Sequence, residues 1–276
     1  MKRVRAKKII PILLSVVICV GNIAFADDLS QLMNMSAIPI AGNGMIAKSP
    51  REQAVYNVAY TLGAQKSYLK QLHLIQSHIR SKSAQMNRIF NFRSLINLSN
   101  TSRTRYVIPP VIQLATRNVN VNDGGDFLTI SGAVYRIVAP AHLAIAPPTW
   151  QEFLLFGFGN NAVTPIEQTL LPKTDQERTF WRQGILSGWK AGIHQANTEM
   201  SNRIRKLHLY YNGMALYEKL LMRRVVTKPF VAVSHTNVDG HDNQMDVNQQ
   251  TYRITVPAKL NRKFEQWKSI PDMDGI

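Results

Sequence analysis

One cluster in the sequence combines side chains of the types that bind metal ions. His235 and His241 lie six residues apart, beside Asp239 and Asp242. Imidazole nitrogens and carboxylate oxygens are ligands of Zn²⁺ and similar ions. The same polar stretch is also typical of a turn between two strands. We favour the turn over the metal site, and the sequence predicts no metal or other cofactor.

Motifs that define common catalytic sites are absent from the sequence. It contains no HExxH zinc-protease motif, no P-loop, no dinucleotide fingerprint after a strand and no GxSxG nucleophile motif. Ser234 directly precedes His235, and neighbouring residues of a strand point to opposite faces, so the two do not form a catalytic pair. Glu152 and Glu167 lie near an aromatic segment, but no recognisable pattern makes either a general acid. We therefore expect that the protein is not an enzyme.

The elements that would position any site centre on a long predicted helix. Thr174 can cap its start, and Glu177 stands three residues later, where a capping box requires it. The pattern then continues without proline to Tyr211. Asn212-Gly213 is predicted to end this helix, and a shorter helix is predicted at 214–224.

Residues four apart on the long predicted helix share a face, so they form two stripes along it, one of large side chains and one of small residues. A glycine inside a helix costs about 1 kcal/mol relative to alanine, so we expect another backbone to lie against the small stripe. A packing groove within the domain is favoured over a groove for a partner's helix, and Gly63-Ala64 is the candidate to meet it. The large stripe is Trp181, Ile185, Trp189 and Ile193, and the small stripe is Gly184, Gly188, Gly192 and Ala196.

An earlier helix is marked by a strong start signal. Ser49, Pro50 and Glu52 are a cap, a first-turn proline and the third-position acid of a capping box. Apolar residues near helical spacing then extend the predicted helix to about Asn91. The preceding residues, 27–49, are polar, methionine-rich and without a sustained period, so they are predicted to be a flexible segment.

Period-two patterns predict two β-hairpins. Their return strands repeat one another, since YRIVAPAHL at residues 135–143 and YRITVPAKL at residues 252–260 agree at six of nine positions. With a further strand at 230–233, we expect one antiparallel sheet of four or more strands, and an internal duplication is left open. The predicted hairpins are 127–138 with a turn at Ser131-Gly132, and 244–255 with a turn at Asn248-Gln249.

An aromatic segment follows Pro147-Pro148-Thr149. Trp150, Phe153 and Phe156 lie close together in it. They are either a plug for the core or an exposed patch for assembly, since aromatic residues anchor interfaces. The sequence favours the plug, and the three residues are kept as candidate interface aromatics.

The N-terminus has the pattern of a secretory signal peptide. A basic segment precedes an apolar run at 9–20, and Ala24 and Ala26 precede Asp27 in an A-x-A cleavage pattern. Cleavage after Ala26 is predicted, since the run is shorter than the roughly 20 residues of a membrane span. Cys19, the single cysteine, lies in the removed part, so no disulfide is expected in the mature chain.

The charge of the chain is strongly basic. Five basic residues precede position 9, and without them 28 basic and 17 acidic residues remain, a net charge of +11. Such a balance favours acidic surfaces, lipid headgroups or polynucleotide as neighbours. It does not choose among them.

Several segments together resemble the DotC family. They are LLPKT at 170–174, GWKAGIHQAN at 188–197 and GMALYEKLL at 213–221, together with Pro147-Pro148-Thr149-Trp150 and Ser234-His235-Thr236. Members are core-complex proteins of type IVB (Dot/Icm-type) secretion systems, and the TraI protein of IncI-type conjugation systems, which is not the relaxase, belongs among them. The resemblance covers residues 50–260. Family members are typically lipoproteins, but Ile18 before Cys19 departs from a lipobox, so no lipid anchor is expected here.

The resemblance implies a structural subunit of an envelope-spanning core complex. It implies DotD-like and DotH-like partners, a homo-oligomeric ring and a periplasmic location, with outer-membrane association through partners and no direct nucleic-acid contact. A periplasmic peptidoglycan-acting enzyme and a polynucleotide-binding module are the alternatives. The predicted fold is α+β, with long helices on an antiparallel sheet built from two similar hairpins. The predicted organisation is a signal peptide (1–26), a flexible segment (27–49), a single domain (50–262) and a tail (263–276).

Overall fold

The computed structural model describes residues 26–35, 49–96, 106–121, 128–156, 167–241 and 244–268. It confirms the α+β class, with long helices and small antiparallel sheets. The helices are α1 (Ala26–Met33), α2 (Pro50–Ser81), α3 (Ser83–Ile89), α4 (Phe92–Ile96), α5 (Trp150–Leu154) and α6 (Asp175–Met222). The strands are β1 (Tyr106–Ile108), β2 (Val111–Val121), β3 (Leu128–Ala139), β4 (His142–Ala144), β5 (Phe230–His241) and β6 (Gln244–Val256).

The chain divides into two compact units. Unit 1 contains residues up to Ile89 together with Gln151–Arg205, and unit 2 contains Phe90–Trp150 and the residues from Lys206 onward. Unit 1 is helical in its described part, whereas all six strands belong to unit 2.

Helix α2 starts as its sequence predicts. The Glu52 N–H donates to the Ser49 hydroxyl oxygen at 3.3 Å, and the Ser49 N–H donates to the Glu52 carboxylate at 2.8 Å, which completes the capping box. The predicted end near Asn91 is wrong, because α2 ends at Ser81. There the Lys82 N–H turns back to the Ile79 carbonyl at 3.1 Å, which tightens the last turn and breaks the helical ladder.

Helix α6 is longer than predicted, with 48 residues in one element. Asn212-Gly213 does not end it. A Cβ on Gly213 would lie 3.0 Å from the Ile112 carbonyl oxygen and closer still to the Val111 side chain. The glycine therefore allows strand β2 to approach the helix and does not serve as a C-cap.

The segment predicted to be flexible is partly helical. Residues 26–33 form α1, and Leu32 is buried in the core of unit 1. The Trp181 indole N–H donates to the Leu32 carbonyl at 2.9 Å. The prediction of flexibility is wrong for 27–35 because three apolar residues, Leu29, Leu32 and Met33, find a partner surface only in the folded chain. Residues 36–48 lie outside the described part.

The core of unit 1 lies where α1, α2 and α6 meet. Each fully buried aliphatic or aromatic side chain contributes about 1.5–3 kcal/mol relative to exposure. The buried residues of this cluster are Leu32, Val55, Ala59, Leu62, Trp181, Ile185 and Trp189.

The strands form three separate two-stranded antiparallel sheets, β1–β4, β2–β3 and β5–β6, and not the single predicted sheet. The predicted turns at Ser131-Gly132 and Asn248-Gln249 are also wrong, because both dipeptides lie inside long strands. The residues between the paired strands, 122–127 and 242–243, lie outside the described part of the chain. Strand β3 pairs with residues 111–121, a stretch that carries no strand prediction.

Unit 2 has its own core, in which the end of α6 packs against β2 and the segments on either side of the second hairpin. Its buried members are Ile112, Tyr217, Leu220, Val225, Val226 and Ala258. Tyr135 and Ile137 of the first hairpin pack against this cluster.

Candidate interaction surfaces

The small stripe of α6 lies against the backbone of α2. A Cβ on Gly184 would lie 2.6 Å from the Tyr56 carbonyl oxygen, and a Cβ on Gly63 would lie 2.6 Å from the Ile185 carbonyl oxygen. Real Cβ atoms do not come this close to carbonyl oxygens, so the two helices meet at a distance that only glycine permits.

The other glycines of the stripe also lie against the backbone of α2. A Cβ on Gly188 would collide with the Tyr60 carbonyl, and one on Gly192 with the Ala64 carbonyl and the Ser67 hydroxyl. Ala196 is fully buried. The groove is therefore filled by the chain's own helix, and the large stripe with Trp181 and Trp189 lies in the core of unit 1.

A buried carboxylate links the starts of the same two helices. Glu177 accepts hydrogen bonds from the Arg51 guanidinium at 2.7 Å and from the Lys173 N–H at 2.7 Å, while its own N–H donates to the Thr174 hydroxyl at 3.2 Å. Burial acts to raise the pKa of Glu177, but these hydrogen bonds and the Arg51 charge outweigh it and lower the pKa. Thr174 therefore caps α6 as predicted, and Glu177 in the same turn also holds α2 to α6 through Arg51.

A second polar network lies further along α6. The Tyr68 hydroxyl donates to the Glu199 carboxylate at 2.5 Å, and Arg203 donates to the same carboxylate at 3.0 Å. Burial, then the hydrogen bond to Glu199, raises the pKa of Tyr68 to about 12. Tyr68 therefore stays a neutral donor at physiological pH.

The candidate interface aromatics are largely covered. Trp150 is only 2 % exposed, so it offers no surface to a partner. Phe153 and Phe156 are half-buried, and the Arg203 guanidinium carbon lies 3.5 Å from the centre of the Phe156 ring. Arg203 also donates to the Phe153 carbonyl at 3.4 Å.

His235, Asp239 and His241 of the histidine cluster do not lie in a turn, and Asp242 lies outside the described residues. Residues 230–241 are one continuous strand, β5, and the His235 side chain is exposed on it. The predicted turn is wrong because β6 pairs with the whole of this segment, from Phe230↔Val256 to His241↔Gln244. Among the residues that the structure describes, no three metal-binding side chains come together.

The two hairpins share one register. Val111 pairs with Ala139 in the first, and Phe230 pairs with Val256 in the second. In both, the register shifts directly after this first pair, so each carries an irregularity at the same place. The shared YRI sequence of the return strands therefore occupies the same structural position twice.

The likeness extends to the segments that flank the hairpins. Val107 pairs with Leu143 beside the first hairpin, and Val226 pairs with Leu260 beside the second. Comparing only the return strands misses this relation. The sequence does contain a sign of this likeness, because Val107 and Pro110 have the same spacing to each other as Val226 and Pro229.

Equivalent positions of the two hairpins differ sharply in exposure. Val111 is 1 % exposed against α6, whereas Phe230 is 63 % exposed. Its cross-strand partner Val256 is 47 % exposed, and Val233 on the same strand is 45 % exposed. We call Phe230, Val233 and Val256 the open base of the second hairpin.

The signal-cleavage residues fall at the edge of the described chain. Ala24 lies outside it, and Ala26 and Asp27 begin α1. None of the described helices combines the length and hydropathy needed to cross a bilayer.

Comparison with known families finds a match. A family model described as "Type IV secretory system, conjugal DNA-protein transfer" matches residues 49–269, which include nearly all of both units that the structure describes. A search of curated proteins finds no match.

Proposed function

The chain belongs to the type IV secretory system family of conjugal DNA-protein transfer, and from this we propose that it is a structural subunit of the envelope-spanning core complex. In this role it acts by scaffolding and assembly of partner subunits, and not by catalysis. The DotC-like segments at 170–174, 188–197 and 213–221 support the finer assignment to a type IVB, IncI-like system.

The observation that carries this proposal is the open base of the second hairpin. Phe230 and Val256 face each other across the strands and are both exposed. Single exposed apolar residues are ordinary, but adjacent ones that include an aromatic ring mark interaction sites. A lone two-stranded hairpin is also marginally stable in water. A partner that covers this base would stabilise the hairpin as well as the complex.

The first hairpin indicates what kind of partner fits. Its base, at Val111 and Ile112, is covered by α6 where Gly213 permits close approach. Because the two hairpins share one register, the open base of the second presents an equivalent strand framework without that helix. We assign it to an amphipathic helix of a neighbouring subunit.

The proposed neighbours are DotD-like and DotH-like subunits and further copies of this chain in a ring. The proposed location is the periplasm, with outer-membrane association through those partners. The basic mature chain supports contact with acidic subunits, since complementary charge speeds and selects association.

The test is the double substitution Phe230→Thr with Val256→Thr. Threonine keeps the strand preference and removes the exposed apolar surface, so the free energy of unfolding should change by less than about 0.5 kcal/mol per site. We expect the tagged variant, purified from envelope extracts, to lose the other core subunits of its own transfer system, and conjugal transfer to fall at least tenfold.

The matched control is Leu114→Thr with Val138→Thr on the first hairpin, where both side chains are exposed too. It should retain the partners and normal transfer. Equal retention of the core subunits by both variants would rule out the open base as an assembly surface. Release of peptidoglycan fragments by the purified protein, or tight polynucleotide binding by it, would contradict the scaffolding role itself.

A further inference from the structure

A pocket of about 800 Å³ opens in unit 2 where α6 ends. Its wall is formed by the last turn of α6, the segment that leads into β5, and the chain after β6. Arg224, Lys228 and Lys268 contribute positive charge to the lining, and Trp267 contributes an aromatic ring. The volume is in the range of small-molecule sites, which is roughly 300–1,000 Å³.

Within the described part of the chain, no ion pair neutralises the three cations of the pocket. All three side chains are exposed, and none makes an ion pair with a carboxylate of the described residues. Glu265 is the acidic member of the lining, and buried Glu218 lies near enough to Lys228 for their charges to interact. Among the residues that the structure describes, Arg224 and Lys268 therefore carry charge without an ion-pair partner, and a concave wall concentrates its field.

Arg224 adopts a backbone conformation that arginine rarely uses. Its φ is 59°, in the left-handed region. The Val225 N–H donates to the Leu220 carbonyl at 2.9 Å and the Arg224 N–H to the Leu221 carbonyl at 3.0 Å, which is the Schellman pattern of helix ends. Glycine is usual at this position, because a Cβ makes the left-handed conformation unfavourable.

The helix dipole explains only part of the positive charge that lines the pocket. Cations near a helix C-terminus are favourable, which accounts for basic residues in the last turn. It does not require arginine at the left-handed position, and it does not account for Lys268, which comes from a different part of the chain. Strained residues retained at one place in a fold tend to mark functional sites.

The wall of the pocket is held in place before any ligand arrives. The Lys268 N–H donates to the Arg223 carbonyl at 2.9 Å, and the Trp267 indole N–H donates to the Asn261 carbonyl at 3.0 Å. The Asn261 amide in turn donates to the Arg224 carbonyl at 3.2 Å. These bonds hold the backbones of Arg224 and Lys268 at one concavity, so little backbone ordering is needed on binding.

We propose that this pocket binds a phosphate group, carried by a small molecule or by a lipid headgroup, with Arg224 and Lys268 as its principal contacts. A guanidinium offers a planar fork for two phosphate oxygens, and an ammonium adds a point charge. The proposal stands on the pocket alone and does not rest on the scaffolding role.

The test compares Arg224→Gly and Lys268→Gln with the original full chain. Inorganic phosphate is titrated by calorimetry at constant ionic strength, with chloride as the balancing ion. In parallel, phosphatidylglycerol vesicles are compared with phosphatidylcholine vesicles in a flotation assay. We expect at least fivefold weaker binding by each variant to whichever phosphate source binds the original chain.

Lys263→Gln is the matched control, because Lys263 is exposed on the same terminal segment but does not line the pocket. It should bind like the original chain. Arg224→Gly should also melt at the same or a higher temperature, since glycine relieves the left-handed strain. A lower melting temperature would show that Arg224 has a structural role and would overturn its assignment as a ligand.

The two arms identify the source of the phosphate. Variant-sensitive binding of the soluble ion without the vesicles indicates a small molecule, and variant-sensitive vesicle binding indicates a lipid headgroup. Absence of binding in both arms, or binding that the Arg224 and Lys268 variants leave unchanged, would refute the proposal.

Discussion

At the residue scale, the pKa values of two buried glutamates of α6 are shifted in opposite directions. Glu218 is 5 % exposed, and its Oε1 atom has no hydrogen-bond partner among the described residues. Burial raises the pKa of Glu218, although Lys228 acts in the opposite direction. Glu177 is buried as well, but Arg51 and Lys173 bind its carboxylate and its pKa is lowered. Burial of a carboxylate therefore does not by itself decide its pKa.

We predict that Glu218→Gln stabilises the protein at neutral pH. A pKa raised on folding means that the charged carboxylate opposes folding above that pKa, and the penalty disappears once both states are protonated. The gain should be about 1 kcal/mol, at the low end for an unsatisfied buried group. It should shrink toward about pH 4, as measured by thermal unfolding across pH.

Glu177→Gln is the control, and it should change the stability of the protein in the opposite direction. Its lowered pKa contributes stability that is present above the unfolded pKa and is lost as pH falls through the folded pKa. This variant should be less stable than the original chain at neutral pH and nearly equal to it in acid. Destabilisation of both variants at neutral pH would contradict our account of Glu218.

At the element scale, the spacing of small residues determines how α2 and α6 pack. Gly184, Gly188 and Gly192 recur every fourth residue, so they lie on one face, and the α2 backbone occupies that face. The close approach explains why three residues that weaken an isolated helix are found inside a long one. The same principle applies at Gly213, where the approaching backbone belongs to strand β2.

We predict that Gly188→Leu prevents normal folding of unit 1. Even a Cβ at this position would collide with the Tyr60 carbonyl, and backbone has less freedom to move aside than a side chain. Overpacking typically costs about 1–3 kcal/mol, and a collision with backbone should exceed that range. Loss of soluble protein or a large fall in melting temperature is the expected result.

Ser187→Leu is the matched control, because Ser187 is exposed on the neighbouring position of α6. It should change the free energy of unfolding by less than about 0.5 kcal/mol. Normal stability and normal assembly of Gly188→Leu would refute the packing account.

At the scale of the whole molecule, the N-terminal pattern predicts an exported chain, and the core-complex role that we propose requires one. The family to which the chain belongs is described as one of conjugal DNA-protein transfer. A signal peptide removed after Ala26 would leave Asp27 as the first residue and Cys19 in the removed part. Under our proposal, association with the outer membrane then depends on protein partners and not on a lipid attached to Cys19.

We predict that Cys19→Ser leaves export and outer-membrane association intact. The residue before the cysteine, Ile18, is unlike the small residue that a lipobox requires, so the thiol should not be acylated. Fractionation of the envelope and N-terminal sequencing of the mature chain check both parts, and the expected first residue is Asp27. Loss of outer-membrane association in the variant would establish a lipid anchor.

The sequence by itself determined the features that depend on neighbours along the chain. The cap of α2 at Ser49 and the face shared by Gly184, Gly188 and Gly192 follow from helical geometry over one to three turns. The matching return strands also indicated two hairpins of one kind. These signals are local, so no knowledge of the fold was needed to interpret them.

Only the tertiary structure decided what pairs with what. Strand β3 extends through Ser131-Gly132 because residues 111–121 pair along it, and α6 continues through Gly213 because β2 packs there. Part of the segment 27–35 is helical, and the Trp181 indole N–H holds this helix in place through the Leu32 carbonyl. In each case the deciding partner lies far along the chain, and contacts between distant segments override local propensity. For the same reason, the sequence cannot show that Val111 is covered while Phe230 is exposed.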